Sequence, residues 1–427
     1  MNRTQSTRQR KVRAKYLTYR IDEIPSKYST KDQLKQCFHS DDKGYVHVNS
    51  FVPSISDFEG REHTATVQYL ADGEPRLDAD VENIELDKDF RGFTPLNAPS
   101  ENVAADVIAV TGLGGHAFGS WVNSKGDMWL RDYLPKDLQG RARILIYGYP
   151  SALQDGNNQS SLSDYSACFM QDLMGIRSQH GIQDRPLVLI GHSLGGLIVK
   201  KALSDLKPGV LSRLPVRAIL FFGTPHRGLN IKALETMVQG QENAKLIKDL
   251  EGESAALENL REGFKRIANT FKIYSFVETR TTPMVTEIDG VWQRGAHREM
   301  MVSRNSAMLD CDTETIRMVT ADHSEMVKLR KGQEGPYRYI VSIIKEALQS
   351  APEKWEDFKQ GKDGEPDLPS DPSRDDRQPE HVWKRSFNKE ATPDVLREDS
   401  LEPDQSNISE VQYQDEDTLP SQPPTRA

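Results

Sequence analysis

Two hydrophobic periods alternate through the middle of the chain. Short runs of consecutive apolar residues predict strands buried on both faces of a sheet. These runs are 107–110, 142–147, 187–190, 218–222, 271–276, 300–302 and 316–319. Segments with apolar residues every three or four positions predict helices with one buried side, at 162–180, 196–203, 231–268 and 335–348. Together they predict an α/β fold for residues 101–350, with a mostly parallel sheet and helices on both faces.

Residues 15–100 show another pattern, which predicts a small β-rich α+β N-terminal extension. The predicted strands are 15–24, 46–52 and 64–70, and the predicted short helix is 30–39. This β-α-β-β order resembles the first half of a ferredoxin-like or RNA-recognition-type fold. The aromatic signature with which such folds stack RNA bases is not visible, so we favour an extension packed on the main domain over an RNA-binding unit. The polar segment 82–103 is predicted to be a connector.

The two ends of the chain are polar and oppositely charged. Residues 1–20 hold seven basic and no acidic residues, and we interpret 1–14 as a basic, flexible leader. A mitochondrial targeting segment is the alternative, but the amphipathic apolar face of such segments is missing. Residues 352–427 hold 20 acidic and 10 basic residues and ten of the 23 prolines. We predict that 351–427 is a disordered tail with short segments that could bind an unknown protein partner.

Composition and charge exclude several classes of function. The formal net charge is −9 and arises in the acidic tail, so a nucleic-acid partner is not expected for the near-neutral body. Cys37, Cys168 and Cys311 are far apart and odd in number, which argues against a disulfide framework and a zinc site. We therefore predict an intracellular protein. No apolar run approaches the roughly 18 residues of a membrane span, so any membrane contact is expected to be peripheral.

The strongest chemical signal is Gly191-His192-Ser193-Leu194-Gly195, which fits G-x-S-x-G. It follows a predicted strand and precedes a predicted helix, the context of the nucleophile elbow in hydrolases. Glycines at 191 and 195 remove side chains that would clash in so sharp a turn. We therefore interpret Ser193 as a nucleophile presented at the N-terminal end of a helix.

A nucleophilic serine needs a histidine base, which in this fold follows late in the chain. His226 comes too early, because no strand that could carry the acid separates it from Ser193. His297 lies in a polar segment with no predicted strand before it. His323 follows the last predicted strand, on a loop that can reach the serine. We therefore predict His323 as the base.

The acid that orients the base is expected at the carboxyl end of the penultimate strand. Glu278 follows the strand 271–276 and is our choice. Asp310 and Asp312 are the alternatives, although they lie one strand too late. Asp322 is adjacent to His323 and is expected to shape the loop instead.

The negative oxygen of an acyl-transfer intermediate needs preorganised N–H donors. We predict one at Leu194, directly after the nucleophile, and one at Leu113 in the glycine-rich loop 110–116. The glycines of this loop do not fit a nucleotide-binding pattern and no Walker lysine is present, so we predict no cofactor and no metal. His116 is expected to anchor the loop. Residues 229–270 are predicted to form a cap over the site, with packing on the sheet as a compatible alternative.

Five separated stretches, in this order, resemble the serine-active-site-containing protein family, which comprises lipase-like serine esterases of the α/β-hydrolase superfamily. The stretches are 107–121, 189–199, 221–228, 275–279 and 321–323. The resemblance, to a fungal-type member, implies an α/β-hydrolase fold with Ser193, Glu278 and His323 as nucleophile, acid and base. It also implies lipid ester substrates and a place in the cytoplasm or at mitochondrial and endoplasmic reticulum membranes.

The resemblance has one departure. The family commonly has His-Gly-Leu-Gly-Gly in its oxyanion loop, and Thr111 takes the first position here. The backbone donor at Leu113 does not depend on that side chain. We therefore expect a serine carboxylic-ester hydrolase that works through an acyl-enzyme, and we keep two alternatives: a lipid transacylase, and a catalytically silent signalling or scaffold module.

Overall fold

The computed structural model describes residues 17–57, 61–79, 81, 84–101, 103–152, 159–178, 182–231, 234, 241–288, 291–332 and 335–349. The predicted leader 1–14 and the predicted tail 351–427 lie outside the described residues.

A seven-stranded sheet runs through the larger part of the described chain. Its strands, in the order in which they lie side by side, are β12 (Glu314–Val319), β9 (Lys272–Glu278), β8 (Val216–Phe222), β7 (Leu187–His192), β5 (Ala105–Val110), β6 (Ala142–Gly148) and β4 (Gly92–Pro95). All neighbours are parallel except β4, which is antiparallel to β6. The predicted mostly parallel sheet is confirmed.

Both faces of this sheet are buried in its interior strands, whereas Thr315, Ile316 and Met318 of the edge strand β12 are exposed, so the strand predicted at 316–319 is not buried on both faces. Ile108 and Val110 of β5 belong to one apolar cluster, and Val107 and Ala109 belong to another, because successive side chains of a strand point to opposite faces. The helices α4 (Leu162–Arg177), α5 (Leu194–Ser204), α6 (Pro208–Leu211), α7 (Ala244–Asp249) and α8 (Ala255–Ala268) contribute to the first cluster. The helices α2 (Trp129–Asp132), α3 (Leu134–Asp137) and α9 (Pro336–Gln349) contribute to the second.

The N-terminal extension is a three-stranded antiparallel sheet with one helix. Its elements are β1 (Leu17–Pro25), α1 (Lys31–Gln36), β2 (Val46–Pro53) and β3 (Glu62–Tyr69). Strand β3 lies between β1 and β2, which is the arrangement of the first half of a ferredoxin-like sheet. The guanidinium of Arg20 in β1 donates to the carbonyl of Phe93 at 3.3 Å and to the hydroxyl of Thr94 at 3.2 Å in β4. The extension therefore packs on the main domain.

Three features differ from the sequence-based prediction. The segment 82–103, predicted to be a connector, contains β4, and its short pairing with β6 gives too few residues for a visible period. The segment between β9 and β12 forms a hairpin of β10 (Thr282–Ile288) and β11 (Val291–Glu299), so His297 lies in a strand and not in a loop. The strand predicted at 300–302 is wrong, because these residues turn away from the end of β11.

The described part of the predicted cap packs inward. Leu257, Leu260 and Phe264 of α8 are buried in the same cluster as Leu197 and Ile198 of α5. This is the packing alternative that we considered for residues 229–270. None of the helices in the described ranges is long and apolar enough to cross a membrane.

Candidate active site

Ser193 occupies a strained turn between β7 and α5. Its φ is 52° and its ψ is −124°, a conformation that residues with a side chain rarely adopt and that marks functional turns. Two glycines permit the turn. A Cβ at Gly191 would lie 2.4 Å from the Cα of Gly196, and one at Gly195 would lie 2.3 Å from the carbonyl oxygen of Thr111. The predicted elbow geometry is present in the structure.

The elbow places Ser193 at the start of α5, where the helix dipole is positive. The N–H of Ser193 donates to the carbonyl of Phe222 at 2.9 Å, which ties the turn to the end of the neighbouring strand β8. The Ser193 hydroxyl has no hydrogen-bond partner within the described part of the chain. In enzymes without substrate, catalytic hydrogen bonds are often long and shorten only when substrate binds.

Glu278 and His323 form a buried hydrogen-bonded pair. Glu278 ends β9 beside Val319, the last residue of β12, so the loop that carries His323 starts next to the carboxylate. Nδ1–H of His323 donates to Oε2 of Glu278 at 2.7 Å. The other oxygen, Oε1, accepts the N–H of Val302 at 3.0 Å. Both carboxylate oxygens are therefore hydrogen-bonded, and Nε2 of His323 has no hydrogen-bond partner among the described residues.

His323 lies beside the elbow. Its ring centroid is 4.8 Å from that of His192, the residue before Ser193. On its other side, a Cβ at Gly223 would lie 2.9 Å from Nδ1 of His323. The structure thus brings the predicted base to the predicted acid and to the neighbour of the predicted nucleophile.

The alternative bases and acids lie elsewhere. His226 is buried with its ring edge-on against Phe221, and His297 is exposed and pairs with Glu299. Asp310 pairs with Arg227, and Asp312 is exposed. None of these four residues contacts Glu278 or His323 through a hydrogen bond in the described residues.

The predicted oxyanion loop lies against the nucleophile. A Cβ at Gly112 would lie 2.8 Å from the Cβ of Ser193, so the loop packs directly against the elbow. Neither the N–H of Leu113 nor that of Leu194 donates to a described residue. Both donors are therefore available for an anionic oxygen.

Side chains of the loop hold it in place. Thr111 donates its hydroxyl to Ser120 at 2.7 Å, a structural bond that leaves the backbone of Leu113 free. His116 accepts from the N–H groups of Phe118 and Gly119 on Nδ1 and donates from Nε2 to the carbonyl of Lys88 at 3.0 Å. The expectation that His116 anchors the loop is confirmed.

Two residues that contact His323 were missed by the sequence analysis. His192 donates from Nε2 to the carbonyl oxygen of His323, and Thr282 accepts the N–H of His323. His192 occupies a variable position of G-x-S-x-G, and Thr282 lies in a segment with no predicted strand. Neither residue carries a signal in the sequence.

Within the described ranges, no cluster of three or more His, Cys, Asp or Glu side chains could hold a metal ion.

A mostly parallel sheet, helices on both faces, and a strained serine between the central strand β7 and the next helix together define the α/β-hydrolase fold. No family model matches the sequence. The chain is similar to Protein SERAC1 of Danio rerio, with 28% identity over 314 residues, covering 67% of this chain and 45% of the relative. It is similar to Protein SERAC1 of Homo sapiens, with 27% identity over 277 residues, covering 60% of this chain and 40% of the relative.

The chain therefore spans less than half the length of these curated relatives. Both come from animals, and the expected fungal type finds no support in them. Among solved structures, the mature lipase BlEst2 of Bacillus licheniformis has a TM-score of 0.38 at 15% identity, covering 60% of this chain and 97% of that chain. The lin2722 product of Listeria innocua also has a TM-score of 0.38, at 14% identity, covering 56% and 93%.

Proposed function

We propose that this protein is a serine hydrolase that cleaves carboxylic esters through an acyl-enzyme. The observation that carries the proposal is the buried 2.7 Å hydrogen bond between His323 and Glu278, placed beside a serine in a strained strand–helix turn. A serine, a histidine and a carboxylate in these roles activate a hydroxyl that is otherwise a weak nucleophile.

The proposed reaction has two halves, formation of the acyl-enzyme and its hydrolysis, and the same groups act in both. His323 Nε2 takes the proton of Ser193 as Oγ attacks the ester carbonyl, and the N–H groups of Leu113 and Leu194 hold the oxygen that becomes negative. Glu278 keeps the proton on Nδ1 and stabilises the imidazolium. His323 then protonates the departing alcohol. In the second half, His323 takes a proton from water as the water oxygen attacks the acyl carbonyl, and it then gives this proton to Oγ of Ser193 as the acyl–serine bond breaks and the acid leaves.

The substrate class and the family are part of the same proposal. The similarity to Protein SERAC1 and the five stretches of family resemblance support membership in the serine-active-site-containing proteins and a lipid ester as substrate. Peripheral contact with a lipid surface would follow from such a substrate. A transacylase would share the first half-reaction and differ only in the acceptor, an alcohol in place of water.

A fluorophosphonate probe tests the acyl-enzyme chemistry directly. We expect the purified protein to be labelled at Ser193, and we expect Ser193→Ala to lose the label. Ser212→Ala is the matched control, because the Ser212 hydroxyl donates to the carbonyl of Gly209 at 3.1 Å at the end of α6. Wild-type protein that is not labelled, or that is labelled equally after Ser193→Ala, would contradict the proposal and favour the scaffold alternative. A panel of lipid esters, with and without an added alcohol, then separates hydrolysis from acyl transfer.

A further inference from the structure

The backbone of His323 is held from both sides by buried side chains. Its N–H donates to Oγ1 of Thr282 at 3.0 Å, and its carbonyl oxygen accepts from Nε2 of His192 at 3.0 Å. All three residues are buried. Water does not compete for these donors and acceptors, so the two bonds restrain the main chain of His323 more strongly than exposed bonds would.

The two partners belong to the elements that carry the other two proposed catalytic residues. His192 ends β7 and directly precedes Ser193, and Thr282 begins β10 shortly after Glu278 ends β9. A shift of the His323 loop relative to either element must therefore break a buried hydrogen bond. The main chain of His323 is therefore hydrogen-bonded on one side to the strand that leads to Ser193, and on the other side to the strand that follows Glu278.

Such a restraint matters because the loop starts from a strand at the edge of the sheet. Strand β12 has β9 as its neighbour on one side, and Asp322 forms the turn through bonds to the N–H groups of Ser324 and Glu325. Those two bonds fix the shape of the loop but not its position relative to Ser193. A displacement of about 1 Å between base and nucleophile lowers rates on the order of 100-fold.

His192 is suited to this contact because it stays neutral. A carbonyl oxygen only accepts, so the bond assigns the proton of His192 to Nε2. Burial, and then the neighbouring His323, lowers the pKa of His192 to about 3. His192 therefore remains a single N–H donor at neutral pH. It adds no positive charge next to the imidazolium that forms on His323 during the reaction.

We propose that Thr282 and His192 are positioning residues, which clamp the main chain of His323 and so set the distance between its imidazole and the Ser193 hydroxyl. The inference rests on the proposed function, because it assigns these residues a role in that reaction. It goes beyond the usual three catalytic groups and the oxyanion donors, since neither side chain touches a reacting atom.

The test compares Thr282→Val with Thr282→Ser in the full-length chain. Valine keeps the shape and loses the acceptor, whereas serine keeps the hydroxyl. We expect Thr282→Val to lower the rate of fluorophosphonate labelling and the kcat for a p-nitrophenyl ester by roughly 10-fold or more, with KM nearly unchanged. Thr282→Ser is expected to recover most of the rate. Thr315→Val on the exposed side of β12 is the control and should match wild type.

A second pair of variants tests the hydrogen bond from His192 to the carbonyl oxygen of His323. His192→Phe keeps a flat ring and removes the donor, whereas His192→Gln retains an N–H. Phenylalanine should lower kcat as Thr282→Val does, and glutamine should recover part of it. Because both residues hold the main chain of His323, Thr282→Val combined with His192→Phe should lose less than the product of the two single effects.

The outcomes separate the inference from the proposed function. If the wild-type protein is labelled, and the folded Thr282→Val and His192→Phe variants react at the wild-type rate, the clamp is overturned. The proposed hydrolase activity would then still stand. If Thr282→Val does not fold, His192→Phe decides. A wild-type protein that is not labelled at all would instead overturn the proposed function, and the positioning role with it.

Discussion

Glu278 and His323 are hydrogen-bonded at 2.7 Å although 45 positions separate them in the chain. The carboxylate accepts two N–H groups, one on each oxygen, from His323 and from Val302. A glutamine at this position would have to direct its amide N–H₂ at one of these two donors. Position 278 therefore requires a carboxylate, because a glutamine of the same shape cannot accept both hydrogen bonds.

We expect Glu278→Gln to lower the labelling rate by about 10³–10⁴-fold, because the imidazole loses both its tautomer and its counter-charge. The rate of fluorophosphonate labelling near neutral pH measures the effect. Glu325→Gln is the control, since Glu325 is exposed and pairs with Lys328 in the same loop. Equal rates for Glu278→Gln and the control would exclude Glu278 as the acid.

The elbow makes a prediction about glycine. Gly191→Ala would place its Cβ against the backbone of Gly196, which no side-chain movement can relieve. We expect the variant to lose at least about 2 kcal/mol of unfolding free energy and to lose labelling. Gly175→Ala is the matched control, because a Cβ there meets nothing within 4 Å inside α4. That change should stabilise the protein by up to about 1 kcal/mol, and urea denaturation compares the two.

Lys200 is a fully buried lysine in α5. Its ammonium has no hydrogen-bond partner among the residues described and lies 5.8 Å from the centre of the Phe264 ring. Burial, followed by the positive charges of Arg261 and Arg227, lowers the pKa of Lys200 to about 7. The folded state therefore binds fewer protons at this site than the unfolded chain, whose lysine keeps the ordinary value of 10.5.

The pKa of Lys200 predicts a pH dependence with a defined sign. Because the unfolded chain holds the extra proton between pH 7 and 10.5, the contribution of Lys200 to the unfolding free energy rises with pH across this window. We expect Lys200→Met to remove this rise and to stabilise the protein at pH 7 by roughly 1–3 kcal/mol. Lys201→Met is the control, since Lys201 pairs with Asp205 at the surface. Thermal melts from pH 6 to 10 measure this difference. If the Tm of Lys200→Met and the Tm of wild type change with pH in the same way, the lowered pKa of Lys200 is contradicted.

Asp106 is surrounded by three guanidinium groups at the start of β5. The fully buried carboxylate accepts from Arg143 at 2.9 Å, from Arg177 at 2.8 Å and from Arg185 at 3.2 Å. Asp106→Asn would leave partly buried positive charges without a counter-ion, so we expect a loss of about 3–5 kcal/mol in unfolding free energy. Asp310→Asn, which affects an exposed ion pair, should cost less than about 1 kcal/mol. Chemical denaturation that gives similar losses for both variants would exclude the buried network as a main source of stability.

The sequence predicts the sheet and the elbow well because their signals are local. Strands buried on both faces must be continuously apolar, and a sharp turn that crowds the backbone must contain glycine. Both constraints act on neighbouring positions, as Gly191 and Gly195 illustrate. The pairing of Glu278 with His323 was also anticipated, from the chain order that the fold imposes on its acid and base.

The parts that were missed depend on contacts between distant residues. Strand β4 pairs over four residues only, and the hairpin of β10 and β11 is rich in charged residues, so it lacks the apolar run of a buried strand. Thr282, His192 and Asp106 gain their roles only from partners that the fold brings together. No pattern of neighbouring residues reveals them.

The strand order has a consequence for how the protein is made. After β5 and β6, strand β7 is added beside β5, and β8, β9 and β12 are each added beside the strand before them, so this side of the sheet extends in the order of translation. Ser193, Glu278 and His323 emerge from the ribosome in that same order. A nascent chain that ends before β12 contains Ser193 and Glu278 but neither His323 nor α9. The proposed site is therefore completed only when the last strand of the large sheet has been made.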